Sequence, residues 1–181
     1  MRAIETERLR LRRYVPDDLD ALFAIQSRAE VTRFIYWEPR DRSAVRTSLV
    51  EKIGATRLAV PGDSLTYAVE LRSTGALIGD VLLVWTSQEH RQGEIGFLFH
   101  PDHQGLGYAT EAARPLLRLG FEELGLHRIV GRLDARNTAS ARVLEKLGMR
   151  REAHLVENEW VKGEWTDEVV YALLAREWAA G

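Results

Sequence analysis

The 181-residue chain contains no cysteine. That excludes a disulfide framework, a thiolate-ligated metal and a thioester carried on the protein itself. No apolar run approaches the ~20 residues that cross a bilayer as a helix, so no membrane partner is expected. The first residues, Met-Arg-Ala-Ile-Glu-Thr-Glu-Arg, lack the apolar core of a secretory leader, and cytoplasmic residence is the expectation. A large excess of one charge is also missing. The net charge of -2 argues against a broad nucleic-acid-binding surface. The five histidines fall at no metal-ligand spacing, and no metal is expected. Internal repeats and low-complexity tracts are absent. What is present, 45% hydrophobic and 29% charged residues, is the balance of a globular protein. The length suits one domain over residues 1–181 with a well-buried core.

Taken in order, Leu9 and Leu11 alternate with arginines as a first strand. Pro16, Asp17 and Asp18 suit the start of a helix that carries Leu19, Leu22 and Phe23 inward. An aromatic linker, Phe34 to Trp37, precedes a second helix from about Arg42 to Leu58. Strands over 65–71 and 77–85 are joined by a Ser73-Thr74-Gly75 turn that reads as a hairpin. Later strands cover 128–133, 150–156 and 168–174, the last two joined by a polar loop holding Trp160 and Trp165.

Between these lies the most informative stretch, Gln92 to Glu123. Ile95, Phe97 and Phe99 alternate with Glu94, Gly96 and Leu98, the period of a half-buried strand. Pro101 and Asp102 break it, and Gln104-Gly105-Leu106-Gly107 leads into a helix with Ala112, Ala113, Leu116, Leu117 and Phe121 on its buried face. Pro115 is expected to kink this helix near Glu111. A strand, a glycine loop and a helix start turn several unpaired N–H groups toward one point, which suits a phosphate. Tyr108 and Ala109 stand where a P-loop needs Lys and Ser or Thr. Thr110 stands where the dinucleotide fingerprint needs its third glycine.

What remains is Q-x-x-G-x-A (Gln104, Gly107, Ala109), which resembles the pyrophosphate loop of the GNAT family of acyl-CoA-dependent N-acyltransferases. A second segment, Asn137 to Met149, looks like that family's N-x-x-S-x-x-V-L-E-K-x-G-M/F pattern, in the expected order after an intervening strand. The opening ETERLRLRRY and the closing G-x-W-x-D resemble the branch that contains the ribosomal-protein alanine N-acetyltransferases. The element order reads as an α/β (α+β) domain with one mixed sheet of about seven strands and helices on its faces. The resemblance implies the same fold, with the fourth and fifth strands splayed apart and pantetheine lying between them.

The resemblance further implies that backbone groups around Phe97 and Leu98 bind pantetheine. It places the CoA pyrophosphate on the loop of Gln104, Gly105, Leu106, Gly107, Tyr108, Ala109 and Thr110. Gly96, mid-strand, marks a close approach by another chain or a packing gap against the Asn137 helix. Acyl transfer needs a deprotonated amine, donors for the oxyanion and a proton or charge for the leaving thiolate. Glu94, two residues before Gly96 and on the face opposite Ile95 and Phe97, is the candidate base. The alternative is a solvated carboxylate paired with a neighbour such as Arg91. Many family members carry Tyr seven residues after the Asn; here Leu144 occupies that place. In this branch a Ser at the position of Ser140 contacts the CoA sulfur, which makes Ser140 the replacement, unless it only caps or packs its helix. Asn137 reads as both N-cap and pantetheine contact. Tyr36, Trp37, Glu94 and Trp160 are the expected acceptor contacts, beside an acidic segment with Glu157, Glu159, Glu164 and Asp167. The expected partners are acetyl-CoA and an amine, a peptide N-terminus first and a small amine second, bound by a monomer or homodimer. A module that binds acyl-CoA without turning it over is the remaining class.

Overall fold

The computed structural model describes residues 2–180. Its frame is one mixed sheet of eight strands in the order β1-β2-β3-β4-β5-β6-β8-β7. β1 (Ile4–Glu5), β2 (Leu9–Arg12), β3 (Ser64–Leu71), β4 (Leu77–Ser87) and β5 (Gln92–Phe99) form an antiparallel run. β6 (Arg128–Asp134) lies parallel to β5, and β8 (Glu164–Leu174) pairs antiparallel with both β6 and β7 (Arg150–Val161). The extra strand beyond the expected seven is the two-residue β1, too short to leave a period in the sequence.

Strand alternation sorts the side chains onto two cores. Leu65, Tyr67, Val69 and Leu71 of β3 meet Ala112, Leu116 and Leu117 of α4 (Tyr108–Arg118) and Leu144 and Leu147 at α5 (Thr138–Lys146). Ala68, on the other side of β3, meets Leu22 of α1 (Leu19–Gln26) and Val45 and Leu49 of α3 (Arg42–Gly54). Helices therefore cover both faces. α3 ends at Gly54, four residues short of the expectation, and a one-turn helix, α2 (Ala29–Thr32), stands in the linker before the aromatics.

Pro115 does not break α4. The helix runs on to Arg118, and the irregularity comes later, as a π turn over Leu119–Glu123 closed by Leu124 N–H to the Leu119 carbonyl at 3.0 Å. Ala112, Ala113, Leu116 and Leu117 are fully buried, and that packing outweighs the missing hydrogen bond. The loop expected between the last two strands is instead a continuation of the hairpin. Trp160 pairs with Trp165, and Lys162 and Gly163, both at positive φ, make a two-residue turn.

The splay falls where it was expected. β5 and β6 pair only over Gln92, Gly93 and Glu94. Beyond that point β5 keeps its ladder with β4 out to Phe99, and β6 keeps its ladder with β8 out to Asp134. Each strand is held on its outer edge while the facing edges part.

Candidate active site

A cleft of about 520 Å³ opens at this parting. Its floor is the sheet face that carries Thr66, Asp80, Leu82, Glu94 and Gly96, and α3 with the 34–40 linker forms one wall. Asn137, Ser140 and Leu144 of the α5 region form another. Phe97, Leu98, Tyr36 and Trp37 also line it, so seven of the candidate site residues named from sequence come together here, while the Gln104–Thr110 loop and Trp160 lie outside the lining. A Cβ on Gly96 would meet the Leu82 side chain at 3.3 Å, not α5. The glycine that makes room for α5 is Gly131, whose Cβ would stand 2.7 Å from Leu144 Cδ1.

Glu94 sits at the last paired position of β5, half-buried at the head of the parting. Its ionic partner is Arg132 of β6, Nε to Oε2 at 3.6 Å, rather than Arg91. Arg132 also binds Glu168, a buried carboxylate that accepts a 3.0 Å hydrogen bond from Asn158. Burial pushes the Glu94 carboxyl above its ordinary value; Arg132 opposes the rise, and the charges of Glu168 and Glu159 add to it. The result is a carboxylate that holds a proton more readily than a free one, as a general base should.

On the α5 wall, Asn137 accepts the Ser140 N–H at 3.1 Å and so caps the helix. Capping is therefore Asn137's work. The Ser140 hydroxyl, half-buried, makes no hydrogen bond to the protein among the described residues. Leu144 is buried against Gly131.

At the mouth, the Tyr36 hydroxyl donates to Glu159 at 2.8 and 2.9 Å, and desolvation with that carboxylate's charge holds the phenol above its ordinary range. Lys162 Nζ donates to the Thr32 carbonyl at 2.6 Å, tying the hairpin tip to the linker. Glu159 and Val161 line the cleft, but Trp160 does not. Its side chain is 61% exposed and packs edge-on against Trp165 at 5.3 Å. The hairpin register aligns Glu159 with the cleft-lining Thr166 and Trp160 with Trp165, so successive residues fall on opposite faces. Of the acidic loop residues, Glu164 binds Arg136 and Asp167 binds His154, both away from the cleft lining.

The glycine loop lies beyond the cleft lining, at the start of α4. Gly107 is the N-cap at φ +85°, with no side chain capping the first turn, which leaves its amides exposed to an anion. The Gln104 side chain donates to the Phe99 carbonyl at 3.0 Å and fastens the loop to the end of β5. A second fastening comes from the chain's opening. Glu111 accepts from Thr6 Oγ1 at 2.6 Å, from the Arg8 N–H at 2.8 Å and from Arg8 Nε at 2.7 Å. Arg8 Nη1 donates to the Leu106 carbonyl at 3.0 Å, and the guanidinium lies 4.5 Å from the Tyr108 ring centroid. Burial works to raise the Glu111 carboxyl, but these hydrogen bonds prevail and hold it below its ordinary value. The T-x-R of ETERLRLRRY thus serves the loop, a role that a sequence pattern does not disclose.

Sequence reading missed Arg132, Glu168 and the ion pair of Lys52 with Asp80 in the cleft, at 2.8 Å. Charged residues in the middle of apolar strands were the available signal for Arg132 and Asp80.

Comparison with known proteins accords with this geometry. A model of the acetyltransferase (GNAT) domain matches residues 8–150. The chain is 34% identical over 180 residues to the uncharacterized N-acetyltransferase YnaD of Bacillus subtilis, covering 97% of this chain and 98% of that one. The crystal structure of a GNAT-family acetyltransferase from Bacillus anthracis superposes with a TM-score of 0.87 at 32% identity, over 97% of this chain and 99% of that one. Relatives named for an acceptor stand further off. The putative ribosomal N-acetyltransferase YdaF of Bacillus subtilis is 36% identical over 104 residues, 58% of this chain and 57% of that one. The spermidine N(1)-acetyltransferase of Escherichia coli is 24% identical over 172 residues, 95% of this chain and 89% of that one. On a fold, a splayed sheet and a family match that span most of its length, the chain belongs to the GNAT family of N-acetyltransferases.

Proposed function

We propose that this acetyltransferase passes the acetyl group of acetyl-CoA directly to a primary amine in a ternary complex, and that the amine is a protein or peptide N-terminus. The observation that carries the transfer is Glu94, a carboxylate with a raised proton affinity, at the point where β5 and β6 part, with Ser140 on the α5 wall of the same cleft. Acetyl-CoA, when bound, supplies the thioester. Its pyrophosphate takes the exposed amides of Leu106, Gly107, Tyr108, Ala109 and Thr110, on a loop held by Gln104, Arg8 and Glu111. Phe97 and Leu98 offer the unpaired edge of β5 to pantetheine, with Asn137 across the gap.

Glu94 takes the proton of the attacking amine, directly or through one water. The new C–N bond forms as the C–S bond breaks, and the Ser140 hydroxyl donates to the departing sulfur. Tyr36, Trp37 and Glu159 receive the acceptor at the mouth. The peptide reading rests on the likeness of the chain's two ends to the ribosomal-protein branch. A polyamine is the second reading, favoured by the cleft's acidic balance: Glu51, Asp80, Glu94, Asp134 and Glu159 against Arg40, Lys52 and Arg132.

Free-thiol release from acetyl-CoA, with N-terminal peptides and with small amines as acceptors, tests these readings together. Turnover with peptides is expected. Turnover with polyamines alone would move the acceptor to the second reading, and CoA binding without turnover would make the chain an acyl-CoA-binding module.

A further inference from the structure

Of the three cations that line the cleft, two are held by carboxylates. Lys52 binds Asp80 at 2.8 Å, and Arg132 binds Glu94 and Glu168. Arg40, half-buried on the linker wall, has no carboxylate partner among the described residues, although Glu51 lines the same cleft. Its Nη1 donates to Gln26 Oε1 at 3.1 Å, and its guanidinium lies 4.1 Å from the Trp37 ring centroid. Gln26 is itself buried and oriented by its donation to Ser48 Oγ at 3.2 Å, so the guanidinium is held in place on two sides. Of its five N–H donors only one is used. A fixed, planar cation with free donors in a cleft suits a carboxylate, which it can bind in a two-pronged fashion.

We infer that the acceptor is an amino carboxylate: its amine goes to Glu94, and a carboxylate elsewhere on the same molecule goes to Arg40. This rests on the proposed reading in taking the amine to lie beside Glu94. It favours a peptide with an acidic side chain next to its N-terminus, or a free amino acid, over a polyamine, which offers Arg40 only repulsion.

The test compares matched acceptors that differ only in the carboxylate: Ala-Asp and Ala-Asn peptides with amidated C-termini, and an amino acid against its amide. For the wild type we expect kcat/KM to favour the carboxylate by roughly 10–100-fold, the range of a hydrogen bond to a charged group. In Arg40→Gln that ratio should fall toward one while CoA affinity is kept. Arg40→Lys, which keeps charge but loses the planar fork, should fall between them. A wild type indifferent to the carboxylate, or a preference that survives in Arg40→Gln, would overturn the inference. Calorimetry of the same acceptors on the CoA-loaded protein gives a readout that needs no turnover. Carboxylate-dependent binding lost in Arg40→Gln would uphold the Arg40 site even if no acetyl group is transferred, whereas carboxylate-independent binding, or no binding of any acceptor, would remove it. Loss of CoA affinity in both variants would assign Arg40 to holding the linker, also against the inference.

Discussion

Glu94 and Ser140 line the same cleft, and the roles proposed for them make different demands on the protein. As the proposed base, Glu94 needs a raised proton affinity, and partial burial supplies it while Arg132 opposes the rise. Glu94→Gln keeps the shape and removes the basicity; kcat should fall ~10²–10⁴-fold, the usual worth of such a base. Arg132 retains Glu168 in that variant, so folding and CoA affinity should be preserved. Because the Glu94 carboxyl is raised, wild-type activity should fall as pH drops through that raised value, where the base becomes protonated. The mutant's deficit should shrink at high pH as more amine arrives already deprotonated. Rate profiles over about pH 6 to 10 check this, and a deficit constant across that range would contradict the base role. Ser140→Ala should lower kcat by roughly 10-fold with CoA binding nearly intact, because a contact to the departing sulfur strengthens only as the C–S bond breaks. Single-turnover kinetics and CoA calorimetry on the same preparation separate the two effects, and an unchanged kcat would leave Ser140 as a helix residue.

The loop proposed to hold the CoA pyrophosphate lies at the start of α4, and its conformation depends on a glycine and on a clamp. Gly107 lies at φ +85°, and a Cβ there would also meet Arg8 Nη2 at 3.4 Å. Gly107→Val must therefore move the loop, at a strain of about 1–3 kcal/mol, and CoA affinity should fall ~10-fold or more. Calorimetry on the folded variant is the check; unchanged affinity would take the loop out of the site. The Glu111 clamp fails differently. Its carboxyl is held below the ordinary value, so its contribution is present above that ordinary value and is lost as pH falls through the lowered one. Glycine geometry and ionic bracing thus support one set of amides by independent means.

At the scale of the whole molecule, the two cores on either side of the sheet must be held in register for the cleft to exist. Asp80 is the polar link on the α3 side. Buried in β4, it accepts from Lys52 of α3 at 2.8 Å and from the buried Tyr14 hydroxyl at 2.9 Å, whose proton is held by desolvation and by the charge of Asp80. Asp80→Ala leaves an ammonium and a hydroxyl without their partner, and a loss of about 3–5 kcal/mol is expected, read as a lower urea midpoint. A wild-type midpoint would show that α3 is held by its apolar contacts alone.

The sequence by itself determined what is local or ordered along the chain. The alternation of β5, the break at Pro101, the glycine at the start of α4 and the Asn137 cap follow from backbone sterics and hydrogen bonds within a few residues. The place of the splay was expected from the family resemblance, carried by the Gln104–Ala109 and Asn137–Met149 segments. Tertiary structure decided partnerships and parity. Glu94 pairs with Arg132 and not Arg91, because through-space neighbours are set by the parallel register of β5 and β6. Glu159 lines the cleft and Trp160 does not, because the hairpin register sets Glu159 against the cleft-lining Thr166 and Trp160 against the exposed Trp165. Glu111 is clamped by Thr6 and Arg8 through contacts between segments far apart in the chain, and Arg40 is left without a carboxylate partner among the described residues. Burial and Coulomb energy depend on distance in space, and only the folded chain specifies that distance.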